Sequence, residues 1–355
     1  MTRLAIVPPL IIKDWEPQFL LRVQTELAQQ GPDSTFRLVD DVEEADVVFY
    51  VDSNQSARSL SEYQKLFQWA SEKQKFLFAL SIQDNPLGAF PGIYTSLGPA
   101  NFDPKLHLSW PHLEAPNRIV EDAAETPPTQ DSLLFTFSGS CSHPLRRKLF
   151  SIYESGSDAR CKVREVKRWY DHTESEHETY VEDILNSRFV LCPRGIACYS
   201  HRIFETILLD RVPVIIADDW IPFSFAQEDY YVKIPESEVG NIASHLEREL
   251  EKYDDYLQDL RKVKAKWLGQ NRYRKVIEDF LSFHRQHKAA HDPKVLLDRL
   301  KSPEFRRSND LLTHQKLLAS ASAIPRNSTK VLEKLSQYFS GPSSEDAASR
   351  PPFER

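Results

Sequence analysis

Short apolar runs rich in β-branched and aromatic residues alternate with stretches of helical spacing, and this alternation occurs twice along the chain. In the first half the runs are LAIVPPLII (4–12), ADVVFYV (45–51) and KFLFALS (75–81). Between them lie PQFLLRVQTELAQQ (17–30) and SARSLSEYQKLFQWASEK (56–73), where Leu60, Tyr63, Phe67 and Ala70 fall on one helix face. Strand, helix, strand, helix, strand is the order of a parallel sheet with covering helices. A chain of 355 residues exceeds what one hydrophobic core usually supports, so two such domains are expected.

The second unit repeats the rhythm. LLFTFSG (133–139) reads as a strand and PLRRKLFSIYES (144–155) as a helix with proline at its opening, where the missing N–H costs nothing. CKVREV (161–166), FVLCP (189–193) and VPVIIAD (212–218) read as strands, with helices over 175–188 and 200–210 between them. Residues 237–287 read as two further helices. The expected division is therefore a Rossmann-like domain over 1–115, a second over 133–290, a helical extension over 291–325 and a partly disordered tail over 326–355. Residues 116–132 between the domains carry Pro116, Pro127 and Pro128 with little apolar material, the character of a linker or exposed loop.

Composition narrows the function. The 45 basic and 52 acidic residues nearly balance, which argues against general nucleic-acid binding while leaving room for a local phosphate pocket. No run of about 18 apolar residues is present, and the apolar start is broken by Pro8 and Pro9, so neither a transmembrane anchor nor a signal peptide is expected. The four cysteines, Cys141, Cys161, Cys192 and Cys198, match no zinc spacing, and reduced thiols in a cytoplasmic protein are the expectation. The stretch from Arg261 to Arg274 has the basic character that docks peripherally on anionic membranes, although acidic residues on both sides of it favour a plain solvated helix.

The segment from Tyr180 to Phe225 carries the chemistry. Its strand, Phe189 to Cys192, runs into Pro193-Arg194-Gly195, a turn in which the glycine permits positive φ and close ligand approach. Ser200 is then placed to cap a helix beginning His201-Arg202-Ile203-Phe204-Glu205. A helix N-terminus offers free N–H groups and partial positive charge to a diphosphate. Arg194 and Arg202 can add charge-assisted hydrogen bonds to it. Glu205 lies one turn beyond Arg202, where a carboxylate can accept ribose hydroxyls; its everyday alternative is a surface pair with Arg202 or Arg211. The strand after the helix delivers Asp218 and Asp219 to the same end.

The order of these pieces resembles the exostosin-like glycosyltransferases, glycosyltransferase family 47. They are Ser187-Arg188-Phe189, Leu191-Cys192-Pro193-Arg194-Gly195, Ser200-His201-Arg202-Ile203-Phe204-Glu205, Val212 to Ile216 and Pro222-Phe223. The upstream LLFTFSGSCSHPLRRKLF is similar to that family's strand, glycine turn and arginine-bearing helix. The resemblance covers residues 133–225 and is only a matter of pattern before them. It implies an α/β fold of the GT-B type, two Rossmann-like domains facing a central cleft. It implies inverting transfer of a sugar from a nucleotide diphosphate donor, commonly UDP-linked, to a glycan or other hydroxyl acceptor, with no permanently bound cofactor. On this reading Glu205 binds ribose, Arg202 and the helix behind Ser200 hold the diphosphate, and Arg194, Gly195, Arg146 and Arg147 are further donor-site candidates. No DxD motif sits at a strand end, so no essential metal is expected. Ile196 and Cys141 depart from the family, which often has basic residues near these turns.

Other residues are candidates on position alone. His201 adjoins the helix start, and Tyr199 and Trp220 are rings suited to stacking on base or sugar. Inverting transfer needs a base within reach of the acceptor hydroxyl. Asp52 and Asp84 follow strands, and His107, His112 and Glu114 precede the linker; the catalytic residue is otherwise unknown. Two alternatives stand beside an active enzyme of this family. One is a non-catalytic GT-B partner or sugar-binding protein; the other is a fucosyltransferase-like enzyme using a GDP-sugar.

Overall fold

The computed structural model describes residues 1–7, 23–28, 34–52, 60–84, 86–110, 117–124, 132–156, 158–167, 173–269, 271–303 and 305. Contacts divide the chain into a unit over 1–309 and a second over 310–355, the latter outside the described residues. The first unit holds two sheets, both wholly parallel.

The first sheet takes β1 (Thr2–Val7), β2 (Phe36–Leu38), β3 (Val47–Asp52), β4 (Phe76–Ser81), β5 (Gly92–Tyr94) and β6 (His107–Ser109), in the spatial order β2-β1-β3-β4-β5-β6. Every residue of β3 is buried, the signature of a parallel strand covered on both faces. Helix α1 (Leu60–Glu72) covers this sheet with Tyr63, Phe67 and Ala70 fully buried, as its spacing requires. Residues 23–28 are helical, within the expected 17–30. The second sheet takes β7 (Leu133–Gly139), β8 (Cys161–Glu165), β9 (Ser187–Pro193), β10 (Val212–Ile216) and β11 (Val232–Lys233), ordered β11-β10-β9-β7-β8. Its helices are α3 (Pro144–Tyr153), α4 (Glu174–Leu185), α5 (His201–Leu208), α6 (Ile242–Glu249) and α7 (Tyr253–Val263). The expected α/β class and two parallel sheets are thus in place.

Two of the expected boundaries do not follow the packing. The stretch 116–132 contains a helix, α2 (Arg118–Ala123), capped by the Asn117 side chain accepting from the Ile119 N–H. Its Val120 is fully buried, and the helix lies against α4 and α5, so this part of the connection belongs to the core. Residues 125–131 of the expected linker lie outside the described residues.

The second departure is α8 (Arg272–Gln286), assigned by sequence to the second domain. Its Phe280 packs edge-on to Phe49 and Phe78 of the first sheet, at ring distances of 5.6 and 4.9 Å. Arg274 reaches the 23–28 helix and beyond, its Nη2 donating to the Leu27 carbonyl and its Nη1 to Ser34. Helix α9 (Pro293–Lys301), the described part of the expected extension, lies against α1. The chain after α7 therefore returns to the first sheet. The hydrophobic periodicity of α8 was readable, but periodicity does not say which sheet a helix covers.

Direct bonds join the two sheets' loops. The Ser109 N–H donates to Ser224 Oγ at 2.8 Å, Ser109 Oγ donates to the Ile221 carbonyl, and Cys198 Sγ donates to the Ser96 carbonyl. All four cysteines are free thiols. Among the described residues no helix is long and apolar enough to cross a membrane.

The returning segment carries a buried histidine pair. His291 Nε2 donates to the Lys105 carbonyl at 2.8 Å, so in the neutral ring its Nδ1 accepts, and His284 Nδ1 donates to it at 2.9 Å. Burial, with His291 and the cations Lys288 and Arg285 nearby, pushes the His284 imidazole down to about 4. Burial pushes His107 down to about 3. Folded, these rings stay neutral while the unfolded chain protonates them near pH 6.5, so stability is intact above that value and falls on acidification towards pH 4. Each ring contributes a slope of up to about 1.4 kcal/mol per pH unit in this window. The urea midpoint is expected to be clearly lower at pH 5 than at pH 7; equal midpoints would show that these rings titrate normally.

Candidate functional site

The site forms where β7 and β9, adjacent and parallel, end side by side. After β7 the chain turns through Ser140, Cys141 and Ser142 into α3, whose opening N–H of Leu145 is capped by His143 Nδ1. After β9 it turns through Arg194 and Gly195, and α5 begins at His201.

Arg146 ties the two turns together. Its Nε donates to the Arg194 carbonyl and its Nη2 to the Pro193 carbonyl, both at 3.0 Å, while Nη1 reaches the Ser140 carbonyl at 3.3 Å. Its guanidinium lies over Phe137, which also receives Arg202 at 4.7 Å. Sequence placed Arg146 among the phosphate candidates; here three of its five donors already hold backbone. Burial, with Arg202 close by, pushes its guanidinium down to about 9, so two cations are held together here. Arg147, the neighbouring candidate, is exposed on α3.

Gly195 suits its place for a different reason from the one its turn suggests. Its φ is not in the left-handed region, where Gly88 is the glycine found among the described residues. Instead a Cβ at Gly195 would stand 3.2 Å from Ser142 Oγ and 3.3 Å from Arg146 Nη2. A side chain here would push Ser142 and the Arg146 guanidinium aside by a few tenths of an ångström.

Arg194 is engaged on the β10 side. Its Nη1 donates to Asp219 Oδ1 at 2.8 Å, with Glu236 Oε1 at 3.7 Å. Asp218 exchanges backbone-to-carboxylate bonds with Glu236, each 3.1 Å. The two aspartates thus hold the 217–236 loops and Arg194. The Arg194 and Arg202 Nε atoms are buried with no partner among the described residues.

Ser200 occupies the N-cap position of α5 with extended backbone, but its side chain makes no capping bond. The first turn of α5 is therefore left with N–H groups that no side chain at the cap satisfies, the arrangement that receives anions. Arg202 and Glu205 follow in that helix. Arg202 Nη2 donates to the Ser138 carbonyl, and the guanidinium also lies 5.5 Å from the Tyr180 ring. Glu205 Oε2 accepts a 2.5 Å hydrogen bond from the Tyr180 hydroxyl. Tyr180 lies on α4; burial and the Glu205 carboxylate keep its hydroxyl protonated well above the usual range. Sequence reading singled out Glu205 but not the tyrosine that fixes its carboxylate. His143 was also missed: burial and the Arg194 and Arg146 guanidiniums push its ring down to about 4, leaving a neutral imidazole beside the arginines.

The remaining candidates are placed as follows. Tyr199 and Trp220 are buried in the core, Trp220 edge-on to Tyr231 at 4.9 Å. His201 is exposed at the start of α5, and Ile196 is exposed beside Gly195. His107 is fully buried, its Nδ1 accepting from the Asp103 N–H and its Nε2 donating to the Gly88 carbonyl, so both ring nitrogens hold backbone. Asp52 is 2% exposed and accepts from Ser81 Oγ and Gln83 Nε2, a buried polar cluster at the end of β3. Asp84 is half-buried in the loop after β4. His112 and Glu114 lie outside the described residues. Among the described residues, no group of three or more His, Cys, Asp or Glu is arranged to hold a metal ion.

Residues 95–250 match the model of the Exostosin GT47 domain, which bears out the resemblance read from the motif order. A relative from Oryza sativa subsp. japonica named "Probable glucuronosyltransferase GUT1" is 40% identical over 76 residues, 21% of this chain and 18% of its own. One from Arabidopsis thaliana named "Probable beta-1,4-xylosyltransferase IRX10L" is 40% identical over 73 residues, 20% of this chain and 18% of its own. The matches thus span under a fifth of these curated relatives' length. Among solved structures, a glycosyltransferase from Rickettsia africae aligns at a TM-score of 0.39 with 8% identity, covering 79% of this chain and 98% of that one.

Proposed function

We propose that this chain, which carries an Exostosin GT47 domain over residues 95–250, is a glycosyltransferase that uses a nucleotide diphosphate sugar and transfers the sugar to a hydroxyl acceptor. The observation that supports it best is the uncapped first turn of α5, with Arg202 and the Tyr180-held Glu205 one turn apart behind it. The N–H groups and the helix dipole receive the diphosphate, and Arg202 supplies the balancing cation. Glu205 accepts the ribose hydroxyls, and Tyr180 positions its carboxylate by holding Oε2. As the sugar leaves, negative charge grows on the diphosphate, and these fixed positive groups are already aimed at it.

On this reading the donor is UDP-linked, transfer inverts the anomeric carbon, and no divalent cation is essential. The acceptor is a glycan hydroxyl, in keeping with the glucuronosyl- and xylosyltransferase names of the relatives. Arg146 acts by holding the two turns in register, and His143 presents a neutral ring beside them.

A thermal-shift series against UDP, GDP and dTDP, with EDTA or Mg²⁺, tests the reading. UDP at about a hundred times its Kd stabilises by about 2.7 kcal/mol, which raises Tm by several degrees, equally with and without metal. Response to GDP alone would favour the fucosyltransferase-like alternative. Silence with all three nucleotides would favour a non-catalytic partner.

A further inference from the structure

Two of the arginines at the strand ends already spend their donors on protein. Arg146 gives Nε and Nη2 to the Arg194 and Pro193 carbonyls and Nη1 to Ser140, and Arg194 gives Nη1 to Asp219. Contact between the turn after β7 and an anion at the first turn of α5 therefore calls for another group.

His143 stands in that turn. It follows Ser142, whose Oγ lies 3.2 Å from where a Cβ on Gly195 would be, so the turns after β7 and β9 face each other here. Its Nδ1 accepts the Leu145 N–H at 3.2 Å, which fixes the tautomer: the neutral ring carries its proton on Nε2. The ring is half-buried. Its Nε2–H has no partner among the described residues and is not sealed from solvent, unlike the buried Nε atoms of Arg194 and Arg202. The charged groups that act on the ring are Arg194 and Asp219 from the facing loops and Arg146 from α3 itself. Burial and the two guanidiniums keep it uncharged near neutral pH. A neutral donor among cations gives an anion one more hydrogen bond without adding to the repulsion between the guanidiniums.

We propose that His143 is a further contact of the nucleotide site, its Nε2–H donating to a diphosphate oxygen from the β7 side, the role expected of Arg146 and Arg147. The inference rests on the nucleotide reading and adds a residue to it.

Two variants separate this contact from the capping bond, because an Asn side chain reproduces the Nδ1 side of histidine and a Gln side chain the Nε2 side. His143→Asn keeps an acceptor for the Leu145 N–H, at a position where asparagine caps well, but lacks the second donor. It should melt with the wild type and bind UDP about five- to tenfold more weakly. His143→Gln gives up the cap and offers an amide N–H where Nε2 stood. Its Tm should fall by roughly 2 °C, while it binds UDP about threefold or more tighter than the Asn variant. Calorimetric titration with UDP near neutral pH and a circular-dichroism melt read both quantities on the full chain. A Gln variant that binds UDP no better than the Asn variant would overturn the proposal, and so would wild-type affinity in the Asn variant. A wild-type chain that binds no UDP would overturn the nucleotide reading, and this contact with it.

Discussion

Glu205→Ala is expected to weaken UDP binding roughly 10- to 150-fold, the range for losing a charge-assisted hydrogen bond of about 1.5–3 kcal/mol. The carboxylate sits one turn into α5 with its Oε2 held by Tyr180, so its position is fixed before any ligand arrives. On the proposed reading, removing it takes away the acceptor for the ribose, and it leaves the Tyr180 hydroxyl without this partner. Tm of the free protein should change little by comparison, because Glu205 is only half-buried. Titration of UDP into wild type and variant reads the difference. Equal affinities would remove Glu205 from the donor site.

Arg146→Ala is expected to cost roughly 3–5 kcal/mol of stability and to abolish measurable nucleotide binding with it. The guanidinium donates to the carbonyls of Ser140, Pro193 and Arg194, and deletion leaves all three without it. The turns after β7 and β9 then lose their register, and the α5 first turn loses its support. Arg146→Lys is the sharper variant. It keeps the charge but offers a point donor in place of a planar fork, so it should recover little. A lysine variant with wild-type Tm and UDP affinity would show that charge alone mattered at this position.

The long strands were legible because a parallel strand covered on both faces must be apolar throughout, as in VVFYV and VPVII. The short ones were not. Phe36–Leu38, Gly92–Tyr94, His107–Ser109 and Val232–Lys233 are two or three residues each, too brief for any period to register. Helix α2 hid in a proline-rich stretch because six residues with one buried valine look like any loop. The motif carried Arg202 and Glu205, since both lie on the helix that opens at the site. It could not reveal Tyr180, 25 residues upstream of Glu205, because only the packing of α4 beside α5 brings that ring to the carboxylate. The same is true of Arg146. Its sequence shows a basic residue on an amphipathic helix, and only the pairing of β7 with β9 turns it into a bracket between two turns.

A structure of the UDP complex tests the central claim most directly. The account predicts the diphosphate at the first turn of α5, in contact with Arg202, and the ribose hydroxyls within hydrogen-bond distance of the Tyr180-held Glu205. UDP seated elsewhere, or with its phosphates turned away from α5, would contradict it.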